Sequence, residues 1–559
     1  MTGGLTGGLT GTGGGVGARI WARDASLWAE PGSAEAKEVA ERLGWLDLPE
    51  RMPAEVGRLE AFAAQVRADG LERVLVCGMG GSSLCVEVLA RVFGPGGAAR
   101  PPGAAAGLPV RILDSTHPDA VADAAAWAPP ATSLYVIASK SGTTVEPNDF
   151  AAYFEQLARE SLGGDAGSRF VAVTDPGTPL VEHARGHGWR EAFLNPPDIG
   201  GRYSALSMFG LVPAALLGVD PAGLLERARR MAAACGPDVA DRDNPAVTLG
   251  RFMAEQARAG RDKVTVLTPP ALASFGLWVE QLLAESTGKH GTGLLPVVGE
   301  PVPDRPAEAF GGDRAFVAVG LAGARPPGAA ALEAAGRPVL ALDLPDGLAL
   351  GGEFLRWELA TAAAGHLLGV NPFDQPDVQA AKDATERVLA ALARGEDALA
   401  DPEEARLGGV ADLTQVAAAV RGLLTHAAAG SYVALTAYVH PTDAGERVLQ
   451  AIRALIRDTT GCATTVGTGP RFLHSTGQYH KGGPNTGRFL QITDTPATDP
   501  EVPGREYTFG TLIAGQAAGD RAALVAGGRR VLHVHLTRGG NLEILEEAVR
   551  VALGRSEEA

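Results

Sequence analysis

The chain runs repeatedly from an apolar, β-branched stretch into small or polar residues and then into an Ala/Leu/Glu/Arg-rich segment of helical period. That alternation predicts a doubly wound α/β fold, because each strand needs a helix to cover it and to return the chain in parallel. RVLVCGMGGSSL (73–84), PVRILDST (109–116), SLYVIASKSGTT (133–144) and RFVAVTDP (169–176) supply one parallel sheet. KVTVLTPP from 263, AFVAVGL (315–321) and PVLALDLP (338–345), interleaved with helical stretches at 271–289 and 353–369, supply a second. The charged, Gly/Pro-punctuated segment between about 395 and 410 reads as a linker. Beyond it YVALTAYV, AGERVLQAIRALIRDTTG, ATTVG, RFLQIT and RRVLHVHL predict a smaller α/β or α+β unit.

At 559 residues and 45% hydrophobic content, the chain exceeds what one core usually holds. The expected boundaries are a flexible tail over 1–18, a first sheet domain with N-terminal helices over 19–235, a second over 236–400 and a C-terminal region over 401–559. A net charge of -16 argues against nucleic acid and anionic membrane surfaces as partners, so an anionic ligand must be drawn in locally. Cys77, Cys85, Cys235 and Cys462 lack CxxC spacing, which argues against a disulfide framework or zinc site and for a reducing cytoplasm. No apolar run approaches the roughly 18 to 20 residues that span a bilayer.

Ligands of open parallel sheets bind beyond the carboxyl ends of the strands, so the strand-to-helix turns are the places to search. In CGMGGSS, Gly80, Gly81 and Ser82 let backbone approach a ligand at a helix start. The turn departs from the dinucleotide fingerprint at Ser83, although Asp114 can still be read as a ribose acid, which keeps a nicotinamide-dependent oxidoreductase as a rival. SKSGTT offers the hydroxyls of Ser139, Ser141, Thr143 and Thr144, the charge of Lys140 and a tight turn at Gly142, a set suited to one tetrahedral anion. The plainer alternative is that these residues only cap the helix that follows. Gln281, Glu285 and Lys289 recur at i+4 on one helical face, and Glu285 with Lys289 can equally be a surface pair.

CGMGGSSL, SKSGTTVEP, GGRYSALS, WVEQLLAESTGK and NPFDQPDVQAAK occur in an order that resembles the phosphoglucose isomerase family. The resemblance covers roughly residues 70 to 385. It implies an α/β fold of two doubly wound parallel-sheet sugar isomerase (SIS) domains, here with an additional C-terminal α/β or α+β region. HSTGQYHKGGPNTG at 474–487 is similar to a segment in the isomerase part of bifunctional transaldolase/phosphoglucose isomerase proteins. With no transaldolase-like region upstream, a free-standing isomerase is expected.

The resemblance implies a cytoplasmic aldose-ketose isomerase acting on glucose 6-phosphate and fructose 6-phosphate, with neither metal nor cofactor. Glu285 would be the base, Arg202, following Gly201, the cation beside the reacting carbons, and Lys382 the group at the ring oxygen. Gln281 and Gln375 would face the substrate. The family's usual ring-opening histidine has no counterpart between 290 and 370, where His290 and His366 stand in other contexts. His474 and His480 are the candidates, and His474 is favoured because serine follows it. In most of the family this histidine crosses from a neighbouring subunit of a homodimer, whereas here the C-terminal region can supply it within one chain. Two further readings stay open: an isomerase that also takes mannose 6-phosphate, and a non-catalytic sugar-phosphate-binding SIS protein.

Overall fold

A computed structural model describes residues 14–95, 97, 107–396, 398–399, 401, 403–427, 429–538 and 540–555, side chains 377–381 excepted. The first sheet holds β1 (Arg73–Gly78), β2 (Val110–Leu113), β3 (Ser133–Ala138), β4 (Phe170–Thr174) and β5 (Glu191–Leu194). The second holds β6 (Lys263–Leu267), β7 (Leu295–Val297), β8 (Arg314–Leu321) and β9 (Val339–Leu344). The third holds β10 (Ala405–Leu407), β11 (Tyr432–Tyr438), β12 (Ala463–Thr468), β13 (Gly487–Asp494) and β14 (Arg530–Leu536). Every pairing between these strands is parallel.

The three sheets share one core topology. Their orders are β2-β1-β3-β4-β5, β7-β6-β8-β9 and β10-β14-β13-β11-β12, so in each the first of four consecutive strands lies between the second and third. In the third, the early strand β10 takes the edge that β5 takes in the first. The C-terminal region is therefore α/β, and the α+β alternative falls away. β10 also corrects the expectation of a linker from 395 to 410, since Ala405, Arg406 and Leu407 pair with Val534, His535 and Leu536.

The tail expected over 1–18 differs in its last residues. Residues 1–13 lie outside the described part, but a helix begins at Val16, whose amide donates to Asp241 at 2.7 Å, and Ile20 is buried. One apolar core runs from this helix through β1, β6 and the helix Leu350–Leu368, so the first two sheet regions are built around shared packing. The third region has its own core. It also packs Tyr432, Tyr479 and Phe489 against Ala284, Leu295 and Val297, which seats it on the helix Phe275–Thr287. No helix among the described residues is long and apolar enough to cross a membrane.

Register decides where chemistry can gather. β1 pairs with β3 so that Gly78 faces Ala138, which sets the GMGGSS and SKSGTT turns side by side at the strand ends. This is where the strand order reverses, and a crevice opens there in folds of this kind.

Candidate active site

After β1 the chain makes one 3-10 turn, Gly80–Ser82, with Gly80 at φ 56. A Cβ on Gly80 would lie 2.8 Å from the Gln281 amide nitrogen and 2.9 Å from the His474 carbonyl oxygen. One on Gly81 would lie 2.0 Å from the Gly201 carbonyl oxygen. Only glycine fits this approach. It brings together the first turn, the GGRYS segment, the Glu285 helix and the third region.

Arg202 is buried, and its guanidinium is almost fully used. Nε donates to Ser286 Oγ at 2.8 Å, Nη2 to the Pro372 and Asp374 carbonyls at 2.7 Å each, and Nη1 to Gln375 Oε1 at 3.1 Å. The same Nη1 stands 3.5 Å from Glu285 Oε1. Lys289 holds the other side of the NPFDQ loop, donating to the Asn371 carbonyl and to the carbonyl and carboxylate of Asp374. It is fully buried, and burial, with Arg202 adding repulsion, pushes its pKa down to about 8 against the pull of Asp374 and Glu285. The surface pairing of Glu285 with Lys289 is thereby ruled out.

Glu285 is 6% exposed, and its Oε2 accepts from Gln281 Nε2 at 3.2 Å. The same Gln281 nitrogen donates to the His474 carbonyl at 2.8 Å. His474 reaches this point from the short turn Arg471–His474 after β12, and its Nε2 lies 3.2 Å from Glu146 Oε1. Glu146 also accepts from Gln516 Nε2 at 2.8 Å. Burial pushes the Glu146 carboxyl up, and the His474 imidazole, with Lys382 contributing, outweighs that and holds it below the ordinary carboxylate value. Lys382 itself is exposed on the helix Pro376–Ala393.

His480 is a different kind of residue. Its Nδ1 lies 3.0 Å from the Tyr432 hydroxyl, its ring packs on Phe489, and burial drives its pKa down to about 3. A neutral core imidazole of this kind cannot act as an acid near neutral pH. Among the other candidates, His366 Nδ1 lies 2.8 Å from the Leu27 carbonyl and His290 is exposed just past the Glu285 helix.

The SKSGTT turn does not cap its helix. Thr144 is the N-cap of Val145–Leu162 but makes no side-chain cap bond; its hydroxyl accepts from Ser139 Oγ at 3.2 Å. Ser141 and Thr143 are exposed, with their hydroxyl oxygens 2.9 Å apart. The first turn of the helix offers few amides to an anion, because Pro147 has no N–H, the Asn148 N–H donates to the Thr144 carbonyl at 3.4 Å and the Glu146 N–H serves its own carboxylate. Lys140, expected to offer its charge to the anion, has its ammonium paired with the Asp175 carboxylate. Asp114, the ribose acid of the rival reading, is held by Arg471 through bonds of 2.7 and 2.9 Å.

Nothing in the sequence distinguished Ser286, Gln516 or Asp175, because each acts on a partner remote in the chain. The i+4 spacing did mark Lys289, although spacing names a helix face and not its burial.

Parallel sheets of shared strand order, with a hydroxyl-rich cradle and a buried Glu–Arg pair at their strand ends, define a protein of the sugar isomerase (SIS) class. No family model matches the chain. It is 31% identical over 398 residues to a glucose-6-phosphate isomerase of Symbiobacterium thermophilum, a match covering 61% of this chain and 85% of that protein. Among solved structures it is similar to a hypothetical protein from Thermus thermophilus, at TM-score 0.57 and 25% identity over 67% of this chain and 94% of the other. It also shares the fold of a glucose-6-phosphate isomerase from Chlamydia trachomatis, at TM-score 0.51 and 21% identity, covering 68% and 78% of the two chains. The chain belongs to the glucose-6-phosphate isomerase family.

Proposed function

We propose that this chain interconverts glucose 6-phosphate and fructose 6-phosphate by proton transfer through an enediolate, with Glu285 as the base. The observation that carries the reading is the buried carboxylate of Glu285, 3.5 Å from the Arg202 guanidinium and hydrogen-bonded to Gln281. Such a carboxylate can lift the proton from C2 and return it to C1 on the same face. Negative charge then spreads over O1 and O2, where a fixed, desolvated cation stabilises it more than water does. The carbons exchange oxidation state within one molecule, so the reaction needs no electron acceptor.

Ring opening needs a proton at the ring oxygen. His474 is the assigned donor, held by Glu146, with Lys382 as the second cation on that side. Ser139, Ser141, Thr143 and Thr144 bind the phosphate, and Gly80, Gly81, Ser82 and Gly201 form the floor between phosphate and sugar. Lys140 acts by fixing Asp175 beside the turn. Gln375 acts through the Arg202 bond that orients both. The ring-opening histidine and the base belong to one chain in this scheme, so activity does not require a homodimer. The same reading makes it a cytoplasmic enzyme of glycolysis and gluconeogenesis.

The test is a coupled assay of fructose 6-phosphate conversion in which mannose 6-phosphate is measured in the same samples. Glucose 6-phosphate is expected as the main product. Its absence, or mannose 6-phosphate as sole product, would overturn the assignment.

A further inference from the structure

Away from the strand-end crevice, the helix Val145–Leu162 passes close to the helix Pro179–Gly186. Glu155 lies nine residues beyond Glu146, or about 13 Å along the helix axis. His183 and His187 are four residues apart, on one face of the second helix and its C-terminal cap. Three ligand-type atoms converge there. Glu155 Oε1 is 3.1 Å from His183 Nε2 and 3.4 Å from His187 Nδ1, and the two ring nitrogens are 2.8 Å apart.

Between neutral imidazoles, hydrogen bonding leaves one shared proton for two short contacts. A ring nitrogen of a neutral imidazole offers either one proton or one lone pair. If His183 Nε2 carries the proton, that proton must be split between Glu155 Oε1 and a lone pair of His187 Nδ1, and if His187 donates to His183, the bond of His183 to the carboxylate is lost. One cation at the centre would accept all three lone pairs. Bonds of about 2.0–2.1 Å to a tetrahedral ion set neighbouring ligand atoms about 3.3 Å apart, near the oxygen–nitrogen spacings of 3.1 and 3.4 Å and wider than the 2.8 Å between the nitrogens, which would move apart on binding.

The surroundings fit such an ion. Glu155 is 5% exposed, and its Oε1 takes a 2.6 Å hydrogen bond from the Trp189 indole, an outer-shell contact that orients a ligating oxygen. Arg159 stands 3.6 Å from the other oxygen, Oε2, and leaves Oε1 to the imidazoles. Both histidines are partly open to solvent, which gives an ion its entry and a water its place.

We propose that Glu155, His183 and His187 form a binding site for a divalent transition-metal ion of the zinc class, with water completing a tetrahedral shell. The ion ties together two helices that start beside the cradle, one at Thr144 and the other at Thr178, three residues after the Asp175 that holds Lys140. It touches no reacting atom, so its effect is to brace the cradle from behind.

The experiment titrates metal-free full-length protein with Co²⁺, read by visible absorption, and with Zn²⁺, read by calorimetry and thermal unfolding. One saturable site is expected, with tetrahedral Co²⁺ bands and a Zn²⁺-dependent rise in Tm. The double variant His183→Ala/His187→Ala is expected to lose both signals while folding as before. Trp189→Phe, which keeps the ring but not the indole donor, should weaken binding by about 10–100-fold. Absence of saturable binding in the unmodified protein, or equal affinity in the double variant, would overturn the proposal.

Discussion

His474 Nε2 stands 3.2 Å from Glu146 Oε1, joining residues 328 positions apart. The pair forms because the third sheet region sends the turn after β12 onto Gly80, where no side chain blocks its carbonyl. The C-terminal region thus completes the crevice that the first two sheets leave open.

If His474 delivers the proton that opens the ring, His474→Ala should lower kcat on fructose 6-phosphate by about 100-fold or more, the range of a positioned general acid. Glu146→Gln should cost less, and in the His474→Ala background it should cost almost nothing more, because the two act as one unit. Steady-state kinetics of the four proteins tests this; additive losses would separate the two residues.

Arg202→Lys should cost more than the retained charge implies. A lysine cannot reproduce bonds to Ser286, Pro372, Asp374 and Gln375 at once, so the NPFDQ loop loses its clamp. A fall in kcat of about 100- to 1,000-fold is expected, together with a lower urea midpoint from stranded carbonyls. Full turnover in the variant would remove Arg202 from transition-state stabilisation.

Ser141→Ala and Thr143→Ala act on binding. If each hydroxyl binds the phosphate as proposed, its loss is worth about 1.5–3 kcal/mol because the partner is charged, so KM should rise roughly 10- to 100-fold with kcat little changed. A drop in kcat at constant KM would place the phosphate elsewhere.

Glu280, buried beside Gln281, gives a pH-dependent stability. Burial raises its pKa from 4.5 to about 8, and the nearby Arg453 and Arg471 only partly offset this. Between those values the folded state binds more protons than the unfolded state. The stabilisation is therefore complete below pH 4.5 and is lost as pH rises through 8. Glu280→Gln, which cannot ionise, should match the parent near pH 5 and exceed it near pH 8.5 by on the order of a few kcal/mol. Urea unfolding at the two pH values reads the difference; a constant gap would contradict it.

The long apolar strands and both glycine-rich turns were legible in the sequence because a buried parallel strand must be almost continuously apolar. β5, β7 and β10 were not. Glu191–Leu194 leaves Leu194 exposed at an edge, Leu295–Val297 contains a proline, and Ala405–Leu407 sits within a charged segment. Each lasts only three or four residues and is defined by its neighbour in the sheet, not by its own pattern. The Gln281–Glu285 face followed from helical spacing. The destination of a cation did not: Lys140 sits among phosphate-type hydroxyls, yet Asp175, 35 residues on, takes its charge. His474 and His480 share one short segment, and only packing against Tyr432 and Phe489 makes the second a core residue.

Glu285 is assigned to move the proton between C2 and C1, and exchange of the glucose 6-phosphate C2 hydrogen, or of a fructose 6-phosphate C1 hydrogen, in deuterated water, followed by NMR with Glu285→Gln beside the parent protein, checks that assignment at the reacting carbons. The variant should still bind fructose 6-phosphate but lose both exchange and turnover by about 100- to 10,000-fold. Exchange at the parental rate in Glu285→Gln would contradict it.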